Sequence, residues 1–149
     1  MGEYYARHDG EPEDVAVAVR EHYEPRFAGD KLPESKVALA VALADKMETL
    51  CGMFGIGQMP TGEKDPFALR RHALGVLRML IEKELTVSLT TLVKYGFEVE
   101  TGVAGVKDAS AELLNFFHDR LRVMMRDAGY SAQEVDSVLC GRPADLADI

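Results

Sequence analysis

Lys64, Arg70, Arg71 and Arg78 place four cations within fifteen residues of a chain whose formal net charge is −8. Asp65-Pro66 is a helix-start signal, an aspartate for the N-cap and a proline for the first helical position. The three arginines therefore ride on a helix and Lys64 stands before its N-terminus. Arg71 and Arg78, seven apart, share a face, and Arg70 lies one step round. Guanidinium forks and helix N-termini both suit phosphate oxygens, so Lys64, Arg70, Arg71 and Arg78 form a candidate RNA-backbone contact. The same spacing also serves a solvated face whose arginines pair with the protein's own carboxylates. The glycines from Gly55 through Gly57 to Gly62 invite a nucleotide-binding reading. They follow a helix rather than a strand and lack the Gly-Lys-Ser/Thr ending of a P-loop, which argues against it.

A second constellation is His8-Asp9 with the later Asp45 in Ala44-Asp45-Lys46. Imidazole and carboxylate together hold divalent ions, and this trio resembles part of the metal site of helical HD-class phosphohydrolases. The set lacks an upstream histidine, because only seven residues precede His8. Loop hydrogen bonds for His8 and Asp9 and an internal partner for Asp45 explain these residues more simply, so the metal site is retained only as the weaker alternative. His118-Asp119 lies within a helix, where neighbours point about 100° apart and cannot easily converge on one ion. His22 and His72 have no carboxylate pattern that implies catalysis, and no Ser, Cys and His combine into a nucleophile motif.

The elements that must carry these residues are helices. Residues 1–11 show no clear period and read as loop or a helix end. Glu13-Asp14 open a helix with Val15, Val19 and His22-Tyr23 on one stripe, stopped near Pro25. Glu34 or Ser35 caps the next helix, over 34–50, with Val37, Ala40, Val41, Ala44, Met47 and Cys51 at three- and four-residue spacings. It is apolar almost all round, the mark of a central buried helix, with Asp45 and Lys46 interrupting that surface. The Asp65-Pro66 helix bears Phe67, Leu74, Leu77 and Ile81. Thr86 or Ser88 opens a short helix toward Tyr95, and 96–105 reads as irregular, giving an irregular connection within 86–107. A long helix over 108–128 carries Leu113, Leu114, Phe117, Leu121, Met124 and Met125, with Gly129 as its C-terminal cap. Ser131 and Glu134 form a capping box for a last helix through Val138-Leu139, ended by Gly141-Arg142-Pro143. The expected fold is all-α, a single helical domain of about six helices over 1–149.

The chain's 149 residues suffice for one core, and 47% hydrophobic with 28% charged residues is ordinary for a globular protein. No apolar run approaches the roughly 20 residues that span a bilayer, and the start lacks the segments of a signal peptide, which points to the cytoplasm and away from membranes. Cys51 and Cys140 have no metal-ligand spacing and read as buried thiols. The acidic surplus opposes nonspecific adsorption to nucleic acid, so any RNA contact must come from a local cluster of arginines.

The wording of the chain adds a more specific signal. Tyr5-Ala6-Arg7-His8-Asp9-Gly10-Glu11, Tyr23-Glu24-Pro25-Arg26-Phe27-Ala28-Gly29-Asp30 and Ala42-Leu43-Ala44-Asp45-Lys46-Met47-Glu48-Thr49-Leu50 occur in order. Phe54-Gly55-Ile56-Gly57-Gln58, Pro60-Thr61-Gly62, Lys64-Asp65-Pro66-Phe67-Ala68-Leu69-Arg70-Arg71 and Gly75-Val76-Leu77-Arg78 follow, with weaker similarity at Asp119-Arg120-Leu121-Arg122 and Gly129-Tyr130. This series resembles the β subunit of the bacterial α2β2 glycyl-tRNA synthetase. That subunit is several times longer, so the resemblance implies that Met1 is an internal methionine of an excised, HD-like helical segment ahead of the anticodon-binding region. It also implies an α subunit that forms glycyl-adenylate with ATP and Mg2+, a second β subunit and tRNA(Gly) as partners, and a role for β in tRNA recognition. Catalytic residues and a resident cofactor are then expected elsewhere than in this segment. The alternatives are an HD-type metal-dependent phosphohydrolase using His8, Asp9 and Asp45, and a purely structural helical spacer.

Overall fold

Apolar residues at helical spacing recur in every long segment, and in the computed structural model each such segment is a helix. The structure describes residues 1–27, 29–65, 67–103 and 105–134. Among the described residues six helices run in order: α1 (Gly2–His8), α2 (Glu13–Glu21), α3 (Lys36–Gly55), α4 (Leu69–Glu82), α5 (Leu89–Glu100) and α6 (Ser110–Asp127). Among the described residues the only β feature is an isolated bridge between Thr61 and Lys64, so the chain is all-α. The Ser131 and Glu134 capping box closes as expected, Ser131 N donating to Glu134 Oε2 (2.8 Å) and Glu134 N to Ser131 Oγ (3.2 Å). The continuation through Val138-Leu139, the stop at Gly141-Arg142-Pro143 and Cys140 lie outside the described residues.

Helix α3 is the hub, packing against α2, α4, α5 and α6. Ser35 caps it by accepting from Ala38 N at 3.0 Å. It buries Ala38, Leu39, Ala42, Leu43, Met47, Leu50, Cys51 and Phe54. The expected stripe of Val37, Ala40, Val41 and Ala44 is instead the exposed one. A helix apolar on every side offers two stripes of equal merit, and only its neighbours decide which is covered. The same holds for α4. Its core side is Leu69, Ala73, Val76, Leu77 and Leu80, while Phe67 is exposed and Leu74 and Ile81 are half-buried on the outward side. Helix α6 buries Leu113, Phe117, Leu121 and Met125, and Gly129, at φ +99°, ends it in the left-handed conformation expected of a C-terminal cap.

Residues 2–8, expected as loop or a helix end, form helix α1, tied to α2 by Arg20 Nη1 donating to Glu3 Oε1 at 2.9 Å. One segment departs from the sequence expectation. Helix α5 continues through Gly96 to Glu100, where irregular chain is expected. Gly96 is tolerated there because α5 approaches α3 so closely that a Cβ at this position would lie 2.4 Å from Cys51 Sγ. A glycine that reads as a helix breaker in sequence is thus a close-packing residue in the fold. Cys51 is fully buried, and burial pushes its thiol up to about 12, so it is a packing residue.

The contact generates a prediction. Gly96→Ala should destabilise the protein by about 1–3 kcal/mol, because the buried Cys51 side chain has no room to retreat. Urea unfolding followed by circular dichroism measures it, and an unchanged midpoint contradicts the close approach of α3 and α5.

Candidate nucleic-acid interface

Asp65 begins the construction of the basic face, although it is not the N-cap that the sequence suggests. The helix starts at Leu69, after Ala68 takes a left-handed conformation at φ +54°. The Asp65 carboxylate still caps it from three residues further back, accepting from Leu69 N (2.8 Å) and Arg70 N (2.9 Å). Pro66 lies outside the described residues. With the start fixed at Leu69, the outward side of α4 carries Arg70, Arg71, Leu74, Arg78 and Ile81.

These five residues line a cleft of about 540 Å3 between α4 and α6, whose opposite wall holds Arg120, Val123, Met124 and Asp127. Leu74, Ile81, Val123 and Met124 give it an apolar floor. Arg70, Arg71, Arg78 and Arg120 give it four guanidinium groups, against the carboxylates of Glu82 and Asp127. Arg120 sits 5.9 Å from the centre of the Phe116 ring, and its Nε is buried without a hydrogen-bond partner. The sequence reasoning missed Arg120 as a site residue. Nothing local marks it, since only the packing of α6 on α4 carries it to the cleft.

The four sequence candidates fare differently. Lys64 is on the tight turn closed by Thr61 and Lys64 and does not line the cleft. Arg70 reaches back with Nη2 to the Gly62 carbonyl, which fixes the turn against the helix. Arg78 is committed to the fold, its Nε donating to Glu82 Oε2 (2.8 Å) and its Nη1 to the Asp30 carbonyl (2.8 Å). Arg71 is exposed, and among the described residues no hydrogen bond or ion pair engages its side chain. The set therefore divides into one anchor, one brace, one free arginine and one lysine apart from the rest.

His8, Asp9 and Asp45 are not brought together. His8 ends α1, its ring 6.2 Å from that of Tyr4, whereas Asp45 is on α3. Among the described residues no three His, Cys, Asp or Glu side chains cluster so as to hold a metal ion. Asp45 instead borders a crevice with His72 and Lys46. Burial lowers the His72 imidazole pKa, and Lys46 and Arg71 act in the same direction.

Two predictions follow from these roles. Arg78→Ala should cost about 1–3 kcal/mol by removing a charged donor from the carbonyl of the buried Asp30, while Arg71→Ala should change stability by no more than about 0.5 kcal/mol. Thermal melts of the two variants compare them directly, and equal losses contradict the division. His72 gives a pH signature. Its folded-state pKa lies below the unfolded value of about 6.5, so the unfolded chain binds more protons on acidification. The stability due to neutral His72 is full above about pH 6.5 and is lost as pH falls below it. His72→Gln should flatten the melting temperature between about pH 7.5 and pH 5.5, and an unaltered slope contradicts the assignment.

Comparison with known proteins gives one consistent result. The family described as "Glycyl-tRNA synthetase beta subunit" matches residues 1–140. The chain is 57% identical over 149 residues to the glycine–tRNA ligase beta subunit of Ralstonia nicotianae, covering 100% of this chain and 21% of that protein. Identity to the beta subunit of Polaromonas naphthalenivorans is 56% over 149 residues, again 100% of this chain and 21% of the relative. For Paracidovorax citrulli it is 57% over 147 residues, 99% and 20%. The chain spans about a fifth of the length of the curated relatives it matches.

Proposed function

The chain belongs to the glycyl-tRNA synthetase beta subunit family, and we propose that it contributes RNA-backbone binding and subunit architecture to glycine–tRNA ligase. The observation that supports the RNA role is the α4–α6 cleft, where Arg70, Arg71, Arg78 and Arg120 converge on one side of an acidic chain. Arginine forks bind phosphate oxygens in two-point geometry, and the apolar floor excludes water beneath them. Arg70 and Arg78 are already held by the Gly62 and Asp30 carbonyls. They are therefore presented in fixed positions, and little side-chain entropy remains to be lost on binding. Arg71 and Arg120 have guanidinium nitrogens without protein partners and supply the new bonds.

In this reading the segment charges no tRNA itself. ATP, Mg2+ and the adenylate chemistry belong to the partner α subunit, a second β subunit completes the assembly, and tRNA(Gly) is the RNA bound. In this reading the subunit works in the cytoplasm; no helix among the described residues is long and apolar enough to cross a membrane. The HD-type phosphohydrolase alternative has no support in the positions of His8, Asp9 and Asp45.

The test is binding of tRNA(Gly) to the assembled ligase as a function of salt. Each phosphate contact releases counterions and adds about 0.7–0.9 to the slope of log affinity against log salt. Arg71→Ala and Arg120→Ala should each reduce that slope by about one contact's share, with melting temperature nearly unchanged for Arg71→Ala. Unaltered slopes in both variants would leave this face as scaffold.

A further inference from the structure

Lys46 is the most deeply buried cation among the described residues, only 3% exposed. Its stem leaves α3 and crosses the backbone of α4 at Gly75. A Cβ on Gly75 would lie 2.9 Å from Lys46 Cε and 3.1 Å from Cδ, so the missing side chain is what lets the lysine pass. Its Nζ then donates to the Glu24 carbonyl at 3.1 Å. That is one acceptor for three donors, and no carboxylate lies within ion-pair distance. A buried ammonium with a single neutral acceptor is expensive unless an anion completes its surroundings.

The ammonium stem borders a crevice of about 280 Å3 whose other polar walls are Tyr23, Arg26, Asp45, Arg71 and His72. Its charges do not cancel. Asp30 accepts from Arg26 Nε at 3.1 Å, and Glu24 pairs with Lys31 at 3.4 Å. Among the residues that border the crevice Asp45 is then the one carboxylate set against Lys46 and Arg71, while the Glu24 carboxylate, which also acts on Lys46, lies outside that lining. Neither Arg71 nor His72 has a side-chain hydrogen bond or ion pair within the described residues. The crevice is thus bordered by the residues Arg26, Lys46, Arg71 and His72, which carry two guanidinium groups, an ammonium and an imidazole. Their shared preference is a small oxyanion that can accept several hydrogen bonds at once.

We propose that the crevice bounded by Arg26, Lys46, Arg71 and His72 binds a single phosphate group, carried by RNA or free in solution. The site is separate from the α4–α6 cleft, and Arg71 is the one arginine that borders both. Arg71 holds the outer oxygens, His72 donates from the side of α4, and Lys46 supplies fixed positive charge at the base. Asp45 opposes the anion and weakens its hold. Burial is the main cause that lowers the Lys46 and His72 pKa values, and the Asp45 carboxylate acts against it at both groups.

Inorganic phosphate is the probe, titrated into the protein by calorimetry and by the phosphorus NMR signal. One saturable site is expected. Arg71→Ala should weaken it about tenfold, the loss of a charge-assisted hydrogen bond. Asp45→Asn should tighten it several-fold, which a purely structural Lys46 does not predict. Arg120→Ala, confined to the other cleft, should leave it unchanged. No saturable binding, or equal affinity in the wild type and Arg71→Ala, overturns the proposal, as does weakening by Asp45→Asn. Adding tRNA(Gly) to the phosphate-loaded assembled ligase separates the two sources. Displacement of phosphate assigns the crevice to an RNA phosphate, and simultaneous binding assigns it to a free phosphate compound. If phosphate binding is absent while the salt slope still falls in Arg120→Ala, the crevice fails and the RNA-binding cleft stands.

Discussion

The seam between α3 and α4 governs the rest of the structure. At Gly75 the two helices come close enough that the aliphatic stem of Lys46 fills the gap a side chain would occupy, and its ammonium reaches the Glu24 carbonyl. That bond holds the 22–35 connection against the helix pair. Asp30, on the same connection, accepts from Arg26 N (2.9 Å) and Lys31 N (3.0 Å), and its own carbonyl receives Arg78. Glu21 accepts from Glu34 N at 3.1 Å and closes the other end. A loop with few apolar anchors is thereby fixed by charged and backbone hydrogen bonds, each stronger for being partly removed from water.

The basic surface is a consequence of this arrangement. Helix α4 is committed to α3 along Leu69, Ala73, Val76, Leu77 and Leu80, so its arginines must face away from that core. Helix α6 packs beside it and adds Arg120 from a distant part of the sequence. Four arginines against Glu82 and Asp127 leave the cleft cationic in a chain of net charge −8. The proposed RNA-facing role rests on two independent observations, family membership and the cationic cleft.

Much of the site is also structural, and this limits what substitution of any one arginine can reveal. Arg78 links α4 to the 22–35 connection and Arg70 links it to the 61–64 turn. Removing either alters the scaffold together with the surface. Arg71 and Arg120 are different, because their guanidinium nitrogens are not consumed by the fold. A run of basic residues can therefore contain members that the fold uses and members that it leaves available, and hydrogen-bond partners distinguish them where spacing cannot.

The sequence by itself determined that the chain is helical, the approximate place of the helices from α2 to α6, and which family it resembles. Ser35, Gly129 and the Ser131-Glu134 pair act locally, through backbone groups a few residues away, so their roles are legible without a fold. It also placed Arg70, Arg71 and Arg78 on one helix. It could not say which apolar stripe of α3 or α4 is covered, because both satisfy the 3.6-residue period and the choice belongs to the neighbouring helices. For the same reason Gly96 reads as a breaker when it is a contact point with Cys51, and Lys46 reads as an interruption of the surface when it is buried. Only the tertiary structure brought Arg120 to the cleft, parted Lys64 from it, separated Asp45 from His8 and Asp9, and set Asp45 and Lys46 beside His72. Those relations join residues dozens of positions apart, and packing between helices, not periodicity along one of them, decides them.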